Sequence, residues 1–289
     1  MDIVTVFELF PTQESCIEHL ERARWRGVPK CPYCGSTRCG RTQERRRCYD
    51  CKTSFSVTVG TIFHHTHLPL QKWFLAVTLM LNAKKSLSAL QLSRDIRVNK
   101  NTAWRIAMQI RKAMAQSEHR DLLTGIVEMD ETYVGGKPRK GGPPSKPGRG
   151  TKKTPVIGAA ERGGRVTAKV TKHGKLKGKN MRAFVKARVD VDGAELMTDA
   201  YTAYNGMGRI LPHRVINHAK WYVDGDIHTN TIEGFWALLK RGMFGQFHSV
   251  TARHLQKYVD EFCYRYNLRG VEGTQQFALT IDRGLGVIG

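Results

Sequence analysis

Ile126-Val127-Glu128-Met129-Asp130-Glu131 reads as a buried strand that ends in acids. The pattern recurs downstream, where residues 195–198 form a short strand ending at Asp199. A third acid, Glu233, begins a helix over 231–241 whose other face carries Ile232, Phe235, Leu238 and Leu239. Around them lie a hairpin (156–160 and 166–170), a helix over 180–189, the start of another at 201–205, a short strand at 214–217 and a last helix over 252–266. Each acid alone is more often a capping or surface group. Together, in a basic chain, they form a candidate magnesium site: carboxylates are the hard ligands magnesium prefers, and the ion keeps positions open for phosphate oxygens and water. Glu131 alternates to the opposite strand face from Asp130 and supports the site from outside.

Upstream, four of the seven cysteines form two pairs, Cys31-Pro-Tyr-Cys34 and Cys48-Tyr-Asp-Cys51, with thirteen residues between Cys34 and Cys48. Each pair offers two thiolates to one ion, and two such knuckles complete a tetrahedron, so the spacing predicts a zinc ribbon with one structural Zn2+. Residues 14–26 read as a short amphipathic helix and 53–59 as a strand closing the ribbon. Cys39 reads as a loop residue; Cys16 and Cys263 fall on apolar helix faces as packing residues. Arg41, Arg45, Arg46 and Arg47 line the ribbon hairpin, for phosphate contact or as a solvated turn.

From residue 70 to 115 the pattern is helical, with Trp73, Phe74, Val77 and Leu81 on one face. A short helix over 88–96 capped by Ser88, a turn at 98–102 and a longer helix over 102–114 follow the order of a helix-turn-helix module. Asn101, Thr102, Arg105 and Gln109 are then nearest the bases, with Arg111 and Lys112 on phosphates.

The net charge is +22, and it is uneven: +3 over residues 1–60, +8 over 61–120, +11 over 121–190 and 0 over 191–289. A merely solubilising surface has no reason to stop at residue 190, so a polyanionic partner is expected. Residues 135–153 carry seven bases and no acid, Lys137, Arg139 and Lys140 among them, and read as a mobile DNA-contacting loop. No window of eighteen apolar residues occurs, so no membrane span is expected. Residues 1–10 lack the basic start of a signal peptide, and a cytoplasmic, nucleoid-associated protein is expected.

Met129-Asp130-Glu131-Thr132-Tyr133-Val134-Gly135-Gly136-Lys137, Thr198-Asp199-Ala200-Tyr201, Asn217-His218 and residues 228–236, with Lys240 and Arg241 after them and the paired cysteines before, resemble the DDE transposases of bacterial insertion sequences. The likeness is to the group with an N-terminal zinc ribbon, insertion-sequence family 1595, ISXO-type, and runs from about residue 10 to 270. It implies a ribonuclease H-like core and a metal-binding triad of Asp130, Asp199 and Glu233. It also implies two Mg2+ (or Mn2+) ions per site that serve nicking of a transposon end and joining of the freed 3′-hydroxyl to target DNA. Lys240 and Arg241 then lie near phosphate, Lys240 also fitting a solvated helix position. Asn230 orients a ligand or the DNA. His218 and His228 bond the scissile phosphate, aid an acid step or are structural. Trp236 stacks on a base or walls the site.

The expected fold is thus α+β and multidomain: a zinc ribbon (1–60), a helix-turn-helix module (61–120), a ribonuclease H-like mixed α/β catalytic domain (121–270) and a C-terminal tail (271–289). The partner is double-stranded DNA, both transposon ends and target, held by a homodimer or higher assembly. The alternative is a catalytically silent DNA-binding regulator that uses only the ribbon and the helix-turn-helix.

Overall fold

Two helices, α1 (Ile3–Leu9) and α2 (Gln13–Trp25), open the chain in the computed structural model, which describes residues 1–42, 45–115, 122–135, 151–216 and 228–286. Thr12 and Ser15 exchange side-chain and backbone hydrogen bonds at the start of α2, and Cys16, Ile17 and Leu20 form its buried face. Strands β1 (Cys39–Thr42), β2 (Arg45–Cys48) and β3 (Ser54–Phe55) make an antiparallel sheet in that order. Cys39 lies on β1 opposite Cys48 rather than in a loop. The strand expected over 53–59 stops at Phe55, because the Ser56 and Thr58 hydroxyls bond each other at 2.7 Å and the backbone turns, Val59 N–H to Ser56 O and Thr61 N–H to Thr58 O.

Three helices follow, α3 (Leu70–Asn82), α4 (Ala89–Asp95) and α5 (Lys100–Ala115). Ser88 Oγ accepts the Gln91 N–H at the start of α4, and Asn99 Oδ1 accepts the Thr102 N–H at the start of α5. Four residues, 96–99, join these two helices.

The second half is built on β4 (Leu123–Val134), β5 (Thr154–Glu161), β6 (Val166–Val170), β7 (Val189–Asp199) and β8 (His213–Ile216), with α6 (Gly178–Arg188) between β6 and β7. The sheet order is β6-β5-β4-β7-β8. β4 is antiparallel to β5 and β5 to β6, whereas β7 is parallel to both β4 and β8. Helices α7 (Asn230–Gly242), α8 (Ala252–Asn267) and α9 (Gly273–Gly286) complete the chain. Val127 and Met129 of β4, Ile157 and Ala159 of β5 and Leu196 of β7 pack with Met181, Phe184 and Val185 of α6. The intervening residues of β4 and β5 therefore face α7 on the other side of the sheet. β7 is longer than its expected 195–199: it starts at Val189, and its polar first half pairs irregularly, with a register shift near Gly125.

The contacts divide the chain into two compact units, Met1–Gln116 with Gly270–Gly289, and Ser117–Arg269. The ribbon and the helices to α5 thus share one unit, and the stretch expected as a tail contributes α9 to it. Phe277, Ile281 and Leu285 are buried along α9. Gly284 O accepts the Ile62 N–H at 3.0 Å, and a Cβ at Gly284 would meet Ile62 Cδ1 at 2.7 Å, so any larger residue there would displace the Ile62 side chain. Among the described residues, no helix is long and apolar enough to cross a membrane.

Candidate active site and metal centre

Cys31, Cys34, Cys48 and Cys51 come together with all four ligand atoms within 4.8 Å of one another. The Cys31–Cys51 and Cys34–Cys48 sulfurs are 3.7 and 3.6 Å apart. Tetrahedral sulfurs about 2.3 Å from a zinc ion lie about 3.8 Å apart, so the cluster has the size and the donors of a zinc site. Cys39 stays outside it, its Sγ donating to Ser36 O at 3.4 Å. Arg46 is not turned to solvent. Its Nε and Nη2 donate to both oxygens of Glu21, at 3.0 and 2.6 Å, and its guanidinium lies 5.7 Å from the Trp25 ring centre, tying the ribbon to α2.

On α5, Asn101 and Arg105 are exposed, and Thr102 and Gln109 are partly so. Arg111 departs from its expected phosphate contact. It is 2% exposed, with Nη1 3.9 Å from Met108 Sδ, because its position falls on the packed face of the helix.

The acids are placed by the sheet and by α7. Met129 pairs with Thr198 in the parallel β4–β7 register, so Asp130 and Asp199, each one residue further on, are neighbours on adjacent strands, on the face toward α7. Strands so paired lie about 4.8 Å apart. Asp199 Oδ1 accepts the Tyr201 N–H at 3.0 Å. Glu233 is exposed on the first turn of α7, and its Oε1 accepts the Thr229 hydroxyl at 2.8 Å. Trp236, one turn on, is buried and donates its indole N–H to Asp130 Oδ2 at 3.1 Å. It is packed against Asp130 rather than exposed as a stacking platform.

Burial pushes the Asp130 carboxyl up to about 7, with the charges of Glu131, Asp199 and Glu233 adding to the rise. Glu131 itself lies on the α6 face, where the Tyr204 hydroxyl donates to it at 2.8 Å. Among the described residues, the cysteines are the one group whose ligand atoms already gather for a metal. The three acids supply hard oxygen donors whose mutual repulsion a divalent cation would relieve.

Asn230, Lys240 and Arg241 are exposed on α7. His228 lies with Glu128 and Arg162, its Nδ1 3.2 Å from Glu128 Oε1 and 3.1 Å from Arg162 Nη2. His218, Lys137, Arg139, Lys140 and most of the 135–153 loop lie outside the described residues. Three residues that matter here carry no motif of their own. Glu128 is 0% exposed beneath the start of α7, Arg162 pairs with it at 2.7 Å, and Gly158 lies opposite Asp130 on β5. A Cβ at Gly158 would meet Trp236 Cη2 at 2.6 Å, so only glycine leaves room for that ring. The signal for Glu128 was present: a carboxylate inside an apolar strand, two residues before Asp130, shares its face.

Residues 122–267 match the ISXO2-like transposase domain, and residues 11–54 match the transposase zinc-ribbon domain. The chain belongs to the ISXO2-like transposase family. A relative described as an uncharacterized protein in transposable element ISH50 of Halobacterium salinarum is 28% identical over 299 residues, spanning 96% of this chain and 98% of the relative. The Mos1 transposase paired-end complex with left transposon end aligns at a TM-score of 0.30 and 13% identity, over 73% of this chain and 78% of that one. A pre-cleavage Mos1 transpososome aligns at 0.28 and 14%, over 98% and 96%. Superpositions this loose leave the fold of the ISXO2-like domain to rest on its own topology.

Proposed function

We propose that this ISXO2-like transposase binds the repeats at its transposon ends, nicks them to free a 3′-hydroxyl and joins that hydroxyl to target DNA. The observation that carries the reading is the pairing of Asp130 and Asp199 in register on parallel strands, facing the helix that bears Glu233. The sheet order, with β4 central between an antiparallel hairpin and two parallel strands, supports a ribonuclease H-like core. Two divalent cations, Mg2+ or Mn2+, would activate the attacking oxygen and stabilise the leaving one.

Asp130 and Asp199 would hold the sheet side of the ion site, and Glu233 would complete it from α7. Asn230, Lys240 and Arg241 lie along the exposed side of the same helix, where they orient DNA and contact its phosphates. The pair α4–α5 supports a helix-turn-helix that reads a major groove through Asn101, Thr102, Arg105 and Gln109. The four cysteines hold one structural Zn2+, and the basic loop follows the DNA backbone. Bringing two ends together calls for a dimer or larger assembly on DNA.

The test uses supercoiled DNA carrying the inverted repeats that flank the gene. Nicking in Mg2+ but not in EDTA, lost in Asp130→Asn with end binding retained, is the expected result. End binding without nicking by the unaltered chain would leave a DNA-binding regulator instead.

A further inference from the structure

Helix α7 begins with an unusual arrangement. Its N-cap, Thr229, makes no side-chain bond to the helix backbone, because its hydroxyl goes to Glu233. Two of the first-turn N–H groups are taken instead by Glu128, a fully buried carboxylate on β4. Glu128 Oε2 accepts the backbone N–H of Thr231 at 2.6 Å and of Ile232 at 3.1 Å. Oε1 accepts the Thr231 hydroxyl at 3.0 Å and Arg162 Nε at 2.7 Å. Arg162 also donates from Nη2 to His228 O at 3.0 Å, gripping the segment that enters the helix. Its backbone N–H bonds Ile126 O at 2.9 Å, so the main chain that carries the guanidinium is fixed beside the start of β4.

We propose that Glu128, held by Arg162, is a positioning residue that sets where α7 lies along β4 and so delivers Glu233 to Asp130 and Asp199; the inference rests on reading those three acids as the ion site. A carboxylate is suited to this place, since a negative charge at a helix N-terminus is stabilised both by the free N–H groups and by the helix dipole. The second point of attachment is Trp236 on Asp130. The two attachments match in length. Two strand residues, Glu128 to Asp130, span about 7 Å. Four to five helix residues, from the Thr231–Ile232 amides to Trp236, also span about 7 Å. Glu233 sits between the two points, so α7 can neither slide nor rotate and carry Glu233 away unless one attachment or both are released. Glu128 does not touch the ion site; it acts through the helix.

The experiment compares the full chain with Glu128→Gln and Arg162→Gln. It records thermal melting, affinity for end DNA, Mn2+ affinity by calorimetry and the Mn2+ concentration that half-saturates cleavage. The amide has one acceptor where the carboxylate has two, so its NH2 must face either the α7 N–H groups or Arg162 Nε, and Glu128→Gln should weaken Mn2+ binding and cleavage about 10- to 100-fold, the range for residues that orient metal ligands. Melting should stay cooperative, end binding should be unchanged, and excess Mn2+ should recover part of the rate. If Glu128→Gln does not fold, Arg162→Gln, which leaves the helix cap in place, decides through the same shift in Mn2+ affinity. A folded variant that binds Mn2+ and cuts like the parent overturns the proposal. Cleavage surviving in Asp130→Asn would instead overturn the reading of the acids themselves.

Discussion

The Trp236 indole N–H donates to Asp130 Oδ2 at 3.1 Å, joining α7 to β4 across 106 positions of sequence. The contact depends on Gly158, whose place opposite Asp130 on β5 leaves the ring its space. One hydrogen bond thus ties the helix that carries one acid to the strand that carries another.

Trp236→Phe keeps most of the ring and removes the donor. Stability should fall by about 1–2 kcal/mol, because the buried bond to a carboxylate is lost. Gly158→Ala is the harsher change: the added methyl meets the aromatic ring and backbone, and overpacking of this kind costs about 1–3 kcal/mol. Chemical denaturation of each variant measures the loss, and nicking assays should show both slowed with end affinity retained. A Gly158→Ala chain as stable as the parent would mean that the ring has another place to go.

The ribbon makes a separate prediction. The chain should hold one zinc, and Cys48→Ser should release it and unfold the ribbon while the Ser117–Arg269 unit keeps its fold, since metal binding supplies much of a small ribbon's folding energy. Cys39→Ser is the control: its sulfur lies outside the cluster, so zinc content should be unchanged. Elemental analysis of the two purified variants decides it, and a zinc-free Cys39→Ser would mean a different ligand set.

Much of this site was legible because its signals are local. A doubled CxxC is a spacing, and the apolar runs before Asp130 and Asp199 are short patterns that need no knowledge of the fold, although only the second strand ends at its acid: β4 runs past Asp130 to Val134. The α7 helix was expected over 231–241 and spans Asn230–Gly242, as its apolar face requires. What escaped depends on pairing across the chain. Glu128 reads as one more acid near Asp130 until α7 is laid over it, 103 positions away. Gly158 is unremarked in a hairpin until an indole arrives against it. Helix α9 carries a plain apolar stripe, but only its packing beside α2, α3 and α5 makes it part of the N-terminal unit. Arg111 and Arg46 were counted as basic surface because composition does not reveal which side of an element a charge faces.

On α5 the difference between exposed and buried arginine becomes a prediction. Arg105 is exposed, so Arg105→Ala should leave the fold intact and reduce the preference for end sequence over random DNA. Loss of a base contact of this kind costs about 1–3 kcal/mol of discrimination. Arg111→Ala should instead lower the melting temperature, because that side chain is packed within the unit. Competition binding against random duplex separates the two. An Arg105→Ala chain with its full specificity ratio would make α5 a scaffold and leave base reading to another element.

The last prediction concerns pH. Asp260 on α8 is buried, and burial raises its carboxyl to about 6 against the bond from Gln256 and the charge of Arg188, which act to lower it. The sign follows from proton counts: between roughly pH 4 and pH 6 the folded chain keeps a proton that the unfolded chain has released. Stability therefore falls as pH rises through that window, and the full cost is present above it. A rise of about two pKa units corresponds to about 2–3 kcal/mol. Asp260→Asn removes the ionisation and keeps an oxygen for the Gln256 amide, bonded at 2.6 Å in the parent. The variant should melt about 4–8 °C higher than the parent at pH 8 and close to it at pH 4. Thermal melts at both values test this, and an Asp260→Asn chain less stable than the parent at pH 8 would mean that attraction to Arg188 outweighs the cost of burying the charge.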